Sequence, residues 1–153
     1  MVCYTTCGVA GVFLFSMVYM TFAVDKNYVK DDLMKMLTPE LQEKYRHILK
    51  ERRDIYLTGF VGGLIISLGT WMYLKNNYKM EGFHSACYLI AMTYIFCYIY
   101  YTMTPKSDLL VVYLDDPAAR EKWVEVYKYM QYNYHMSMLL GIVFVGLLGY
   151  GMC

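Results

Sequence analysis

Few side chains in this sequence could do chemistry. Three histidines (His47, His84 and His135) and five cysteines (Cys3, Cys7, Cys87, Cys97 and Cys153) supply its nitrogen and sulfur donors. Only His84-x-x-Cys87 places two donor types within one helical turn, and two donors leave a tetrahedral metal site half built. A metal or redox centre would need His135 to join His84 and Cys87 through the fold. There is no Cys-x-x-Cys pair for dithiol chemistry, no Gly-x-Ser-x-Gly elbow for a nucleophilic serine, and no glycine-rich loop to cradle a phosphate. The chain is therefore expected to be no enzyme, with no catalytic residues, no cofactor and no metal.

The composition points to a membrane instead. Of 153 residues, 58% are hydrophobic and 18% are charged. Four windows carry no Asp, Glu, Lys or Arg: 1–24, 55–74, 82–105 and 129–153. A bilayer-crossing helix needs about 20 predominantly apolar residues, so four spans are expected, near 8–24, 55–74, 84–104 and 135–152. A soluble bundle would keep a polar face on each helix. The first window lacks a basic leader region and a small-residue cleavage site, so it reads as a retained span rather than a signal peptide. No Asp, Glu, Lys or Arg lies inside a predicted span, which disfavours an ion or proton pathway. The net charge of +1, with acids and bases interspersed, gives no nucleic-acid footprint.

Lys and Arg are distributed unequally between the loops. Twelve lie in the two long loops and only Lys75 and Lys79 lie in the short one. The positive-inside rule then puts the long loops in the cytosol and both termini on the other side. In that orientation Cys3, Cys7, Cys87 and Cys153 sit near the non-cytosolic face, where disulfides are chemically permitted. Free, buried cysteine is the equal alternative. Eighteen tyrosines, many near span ends, fit an interfacial aromatic belt.

The two halves of the chain match in register. At an offset of 78 residues Pro39, Glu43, Lys44, Tyr45, Lys50 and Tyr56 fall on Pro117, Glu121, Lys122, Trp123, Lys128 and Tyr134. Gly59 and Gly63 fall on Ser137 and Gly141, and one residue is inserted before the second proline. The fold class expected is an all-α integral membrane protein of four transmembrane helices, arranged as two tandem-repeated hairpins (1–78 and 79–153). The small-xxx-small motifs Gly59/Gly63 and Ser137/Gly141 permit close helix contact in lipid, which would build the bundle around the second and fourth spans. The short segments before the two prolines, "DDLMKML" and "SDLLVVYL", could lie on the membrane surface as interfacial helices, the second equally as an extended segment.

Each repeat also drives a charged helix into an apolar one. Thr38 and Asp116 are good N-caps, and Pro39 and Pro117 suit the first helical position. Nothing breaks either helix before its span. Residues 39–74 as one helix would measure about 54 Å against about 30 Å of hydrocarbon. The second and fourth helices are thus expected to extend as charged amphipathic stalks, with Glu40–Lys44 as a favourable i,i+4 pair. Glu40, Lys44, Tyr45, Lys50, Arg52, Arg53, Arg120, Lys122, Trp123 and Lys128 are the candidate partner-docking residues.

The run "MTPKSDLLVVYLDDPAAREKWVEVYKYMQYNYHMSMLLGIV" (103–143) resembles small multi-span membrane proteins of large icosahedral double-stranded DNA viruses. The features are Pro105-Lys106-Ser107-Asp108, then Trp123, then Tyr132-Asn133-Tyr134-His135 entering the last span. The resemblance covers about a quarter of the chain. It implies a virion inner-membrane or minor capsid protein whose stalks touch a protein shell over an ER-type membrane. The function expected is a non-enzymatic structural membrane protein that anchors or organises a larger assembly. Its expected partners are the lipid bilayer and other proteins of that assembly. The alternative is a small transporter or channel subunit, which predicts a wet cavity between the repeats lined by Tyr, Ser, Thr and His.

Overall fold

The computed structural model describes residues 4–23, 28–77 and 82–151. Five α-helices follow in order: α1 (Tyr4–Ala23), α2 (Tyr28–Met36), α3 (Pro39–Asn77), α4 (Gly82–Met103) and α5 (Pro117–Gly151), with a 3-10 turn at Leu110–Tyr113 before α5. Four of them, α1, α3, α4 and α5, are long and apolar enough to cross a membrane, the architecture of an integral membrane protein. At 39 residues, α3 is about 58 Å long.

Both long helices begin where their capping residues dictate. The Thr38 hydroxyl accepts the Leu41 N–H at 3.4 Å. The Asp116 carboxylate accepts the Ala118 N–H at 3.1 Å. Pro39 and Pro117 then sit at the first helical position, where a missing N–H costs nothing. Gln42 also donates to the carbonyls of Met34 and Leu37 at 2.8 and 3.1 Å, which ties the end of α2 to the start of α3.

Within the apolar segments each helix buries a stripe of mostly four-residue spacing. On α3 it is Ile55, Gly59, Gly63, Ser67 and Trp71; on α4 it is Ser85, Leu89, Thr93 and Cys97; on α5 it is Asn133, Ser137, Gly141, Val145 and Gly149. The remaining faces leave Phe15, Ile65, Tyr98 and Leu139 exposed, as a lipid-facing surface requires. The stripes pair α1 with α5 and α3 with α4, and α4 also packs on α5. Buried hydroxyls join the pairs: Thr21 to Ser137 at 2.7 Å and Ser67 to Thr93 at 2.8 Å. Such bonds satisfy polar groups that lipid cannot.

This arrangement corrects one expectation. The small-residue motifs do not bring α3 and α5 together. Gly59 and Gly63 face the α4 backbone at Cys97 and Thr93, while Ser137 faces α1 and Gly141 lies beside Met17, Tyr94 and Phe60. Large rings at Tyr56, Phe60 and Tyr134 occupy the space between α3 and α5, so close backbone approach is possible only on the other faces. A methyl group at Gly63 would lie 2.5 Å from the Thr93 carbonyl oxygen, whereas one at Gly69 would meet nothing within 4 Å. Gly63→Ala should therefore cost about 1–3 kcal/mol by overpacking. Thermal unfolding of the detergent-purified protein is expected to show a lowered midpoint for Gly63→Ala and no loss for Gly69→Ala.

Candidate functional site

The apolar bundle is not the only core. A second cluster lies outside it, built from Leu33 and Leu37, Tyr45, Ile48 and Leu49, Leu110 and Leu114, and Ala119, Val126 and Met130. It gathers α2, the charged half of α3, the 3-10 segment and the charged half of α5 into one packed unit. Leu33 of α2 and Leu110 of the 3-10 segment are fully buried in protein, whereas Met36, Val111 and Val112 stay exposed. The matched segment before α5 does not repeat the helix of α2. Val111 and Val112 are β-branched and disfavour helix, and only a short 3-10 turn forms.

Rings from α3 and α5 close the middle of this unit. Tyr45 meets Trp123 edge-on with centroids 5.9 Å apart, and Tyr56 meets Tyr134 at 6.0 Å. Tyr45 has no exposed surface. This corrects its expected docking role: its ring is spent inside the molecule, and Trp123 is half-buried against it. The other expected docking residues divide in two groups. Glu40, Lys50, Arg120 and Lys128 are exposed. Lys44, Arg52, Arg53 and Lys122 are partly buried and engaged. Lys122 pairs with Glu125 at 2.9 Å, and Arg53 lies over the Phe22 ring at 4.5 Å.

Lys44 does not turn to Glu40. It pairs with Asp108 at 3.0 Å and lies over the Tyr113 ring at 3.3 Å. Asp108 also accepts the Tyr113 hydroxyl at 3.0 Å, and its carbonyl accepts Arg52 at 3.0 Å. Two turns beyond Lys44 on α3, Glu51 accepts both the backbone N–H and the hydroxyl of Ser107, at 2.9 and 2.7 Å. Residues 106–113 are thereby strapped across α3 by polar bonds. The bond from Lys44 holds the Asp108 carboxyl below its usual range, helped by Tyr113. The Ser107 hydroxyl does the same for Glu51. Nothing in the isolated sequence of 37–63 announced this strap, because Glu51 and Ser107 are far apart along the chain.

A half-open cavity of about 470 Å³ lies where α3, α4 and α5 meet. Arg52, Tyr56, Tyr94, Tyr101, Tyr134 and His135 are among its walls. In its wall the Tyr94 hydroxyl donates to the Met138 carbonyl at 3.1 Å, and Phe60 and Met17 pack around Gly141 beside Tyr94. His84 is not there. It stands near the start of α4 against Phe83, thirteen residues before Cys97, which is about 20 Å along the helix. His135 instead contacts the Gln131 carbonyl at 2.6 Å, and His47 is exposed on α3. The structure therefore separates His84 and Cys87 from His135. Among the described residues no group of three or more His, Cys, Asp or Glu side chains gathers as a metal site. Cys7, Cys87 and Cys97 are free thiols, while Cys3 and Cys153 lie outside the described residues.

No protein-family model, curated protein or solved structure matches the chain. The strap can be tested by pH. A carboxyl whose folded pKa is depressed contributes stability above its ordinary value, and that contribution is lost as pH falls through the folded value. Asp108 and Glu51 are both of this kind, so residues 106–113 should stay protected at neutral pH and loosen below about pH 4. Hydrogen exchange read against pH is expected to show this loosening. Glu51→Gln with Asp108→Asn should exchange faster already at neutral pH and lose most of the acid dependence.

Proposed function

We propose that the chain is a non-enzymatic structural membrane protein that anchors or organises a larger protein assembly, docking it on the outward faces of residues 40–54 and 117–131. The observation that carries this reading is how the charged halves of α3 and α5 divide their surfaces. Their inner stripes are consumed by the second core. Their outer sides leave Glu43, Arg46, His47 and Lys50, and Glu121, Glu125, Lys128 and Gln131, exposed. A membrane anchor alone needs about 20 residues per helix; these helices have 39 and 35. The additional turns are charged stalks of roughly 25 Å, held rigid by the core between them.

The tandem repeat belongs to this proposal, and several contacts support it. Tyr45 and Trp123 are 78 positions apart and touch; so are Tyr56 and Tyr134. Residues that meet their own equivalents mark an approximate two-fold axis. The buried stripe of α3 reappears on α5 at the same offset, position by position. Helix pairing follows the same operation, because the partner of α3 is α4 and the partner of α5 is α1. Two hairpins of like orientation, exchanging partners about an axis along the membrane normal, describe all of these facts. The docking halves lie on the cytosolic side by the Lys and Arg asymmetry. By the resemblance of residues 103–143, the membrane is a virion inner membrane or an ER-type membrane, and the partner is a capsid-type shell.

A second reading, a transporter or channel subunit, is favoured by the tyrosine-lined cavity. The packing of Phe60 and Met17 with the wall residue Tyr94 around Gly141 favours the anchor. Site-specific photo-crosslinking in the native cell separates the two. A crosslinker at Glu43, His47, Glu125 or Lys128 is expected to give discrete protein adducts, one at Tyr45 none, and one at Ile65 lipid only. Bare outward positions, together with solute flux through vesicles holding the purified chain, would move the assignment to transport.

A further inference from the structure

Four cations converge on one small pocket. Lys30 of α2 and Arg46, Lys50 and Arg53 of α3 line a recess of about 350 Å³ whose remaining wall is Leu49. Like charges so placed repel one another, and the fold must tolerate that cost. Asp54 offsets it in part, 3.8 Å from Arg53 Nε and itself exposed. Arg46 and Lys50 make no hydrogen bond or ion pair with another described residue. Both keep all of their N–H donors available, Arg46 in a planar fork and Lys50 as a mobile ammonium.

The recess also has a defined depth. Arg53 rests on Phe22, in the last turn of α1. Two residues after Arg53, α3 enters its uncharged segment. The Arg53 end of the pocket thus lies where apolar helix gives way to charged helix, and Lys50 and Arg46 rise above it along α3, from the headgroup layer outward. Basic pockets at that level on the cytosolic side suit phosphorylated headgroups.

A general requirement for positive charge near the membrane does not account for it. If the repeat proposed above holds, the matching positions in the second half are Ser107, Val124, Lys128 and Gln131. Three of the four cations have no counterpart there, although the long helix that carries Arg46, Lys50 and Arg53 recurs as α5. We infer that Lys30, Arg46, Lys50 and Arg53 form a binding site for a phosphate-monoester anion, carried on a lipid headgroup or free in solution. The site is single and belongs to the first half of the chain. Arg46 and Lys50 supply the donors, and Lys30 and Arg53 supply field and shape. Bound lipid would fix the first stalk to the bilayer surface.

Native mass spectrometry of the full chain from phosphatidylcholine nanodiscs doped with phosphatidylinositol monophosphate provides the test. The wild type should retain one phosphorylated lipid. Arg46→Ala with Lys50→Ala should weaken retention roughly 30-fold, equivalent to about 1 kcal/mol for each cation. Both side chains are exposed, so the variant should keep its melting temperature. Arg46→Lys with Lys50→Arg should restore retention, and Lys128→Ala should not affect it. Retention that survives excess inorganic phosphate identifies a lipid ligand. A saturable thermal shift with inorganic phosphate alone, lost in the double alanine variant, identifies a soluble one. The inference is overturned if the double variant holds the lipid as tightly as the wild type, or if the wild type takes up neither lipid nor phosphate.

Discussion

The aromatic seam between α3 and α5 is the contact on which the rest of this structure depends. Tyr45 against Trp123 and Tyr56 against Tyr134 fill the space between the two long helices. Rings of that size keep the backbones apart, so the small faces at Gly59, Gly63, Ser137 and Gly141 must find other neighbours. They find α4 and α1. The same seam fixes which side of each charged segment points inward. What remains outside is charged, exposed and available, and the functional reading rests on that remainder.

Two solvents act on one helix here. In the apolar half, burial brings little hydrophobic gain, because lipid is as apolar as the protein interior; close packing and hydroxyl bonds such as Thr21–Ser137 hold the helices together. In the charged half the ordinary hydrophobic effect operates, and Leu33, Tyr45, Leu110 and Val126 form a core like that of a soluble protein. The strap of residues 106–113, with its carboxylates at Glu51 and Asp108, covers that second core on one side. A helix that is charged at one end and apolar at the other thus serves both environments without a break.

Much of this was legible in the residues. The four spans follow from uncharged windows, and the helix starts follow from Thr38-Pro39 and Asp116-Pro117. The continuity of α3 and α5 follows from the absence of any breaker. Partner choice was not legible. A small-xxx-small motif says that a backbone comes close, but not whose, and the answer depended on rings several residues away. Tyr45 has the composition of a docking residue and the position of a core residue; periodicity alone could not weigh Trp123 against a foreign partner. The strap joins Glu51 to Ser107 across the chain, which no local pattern encodes. The basic pocket was half visible, in the density of Lys and Arg between residues 46 and 53, but its convergence needed Lys30 from α2.

The central claim is that the outward faces of the two charged segments are occupied in the working state. Electron cryo-microscopy of the protein in its native membrane reads this directly. The account predicts protein density seated on residues 40–54 and 117–131, with the Tyr45–Trp123 seam intact beneath it. A chain surrounded only by lipid, with both segments bare in solvent, would contradict it.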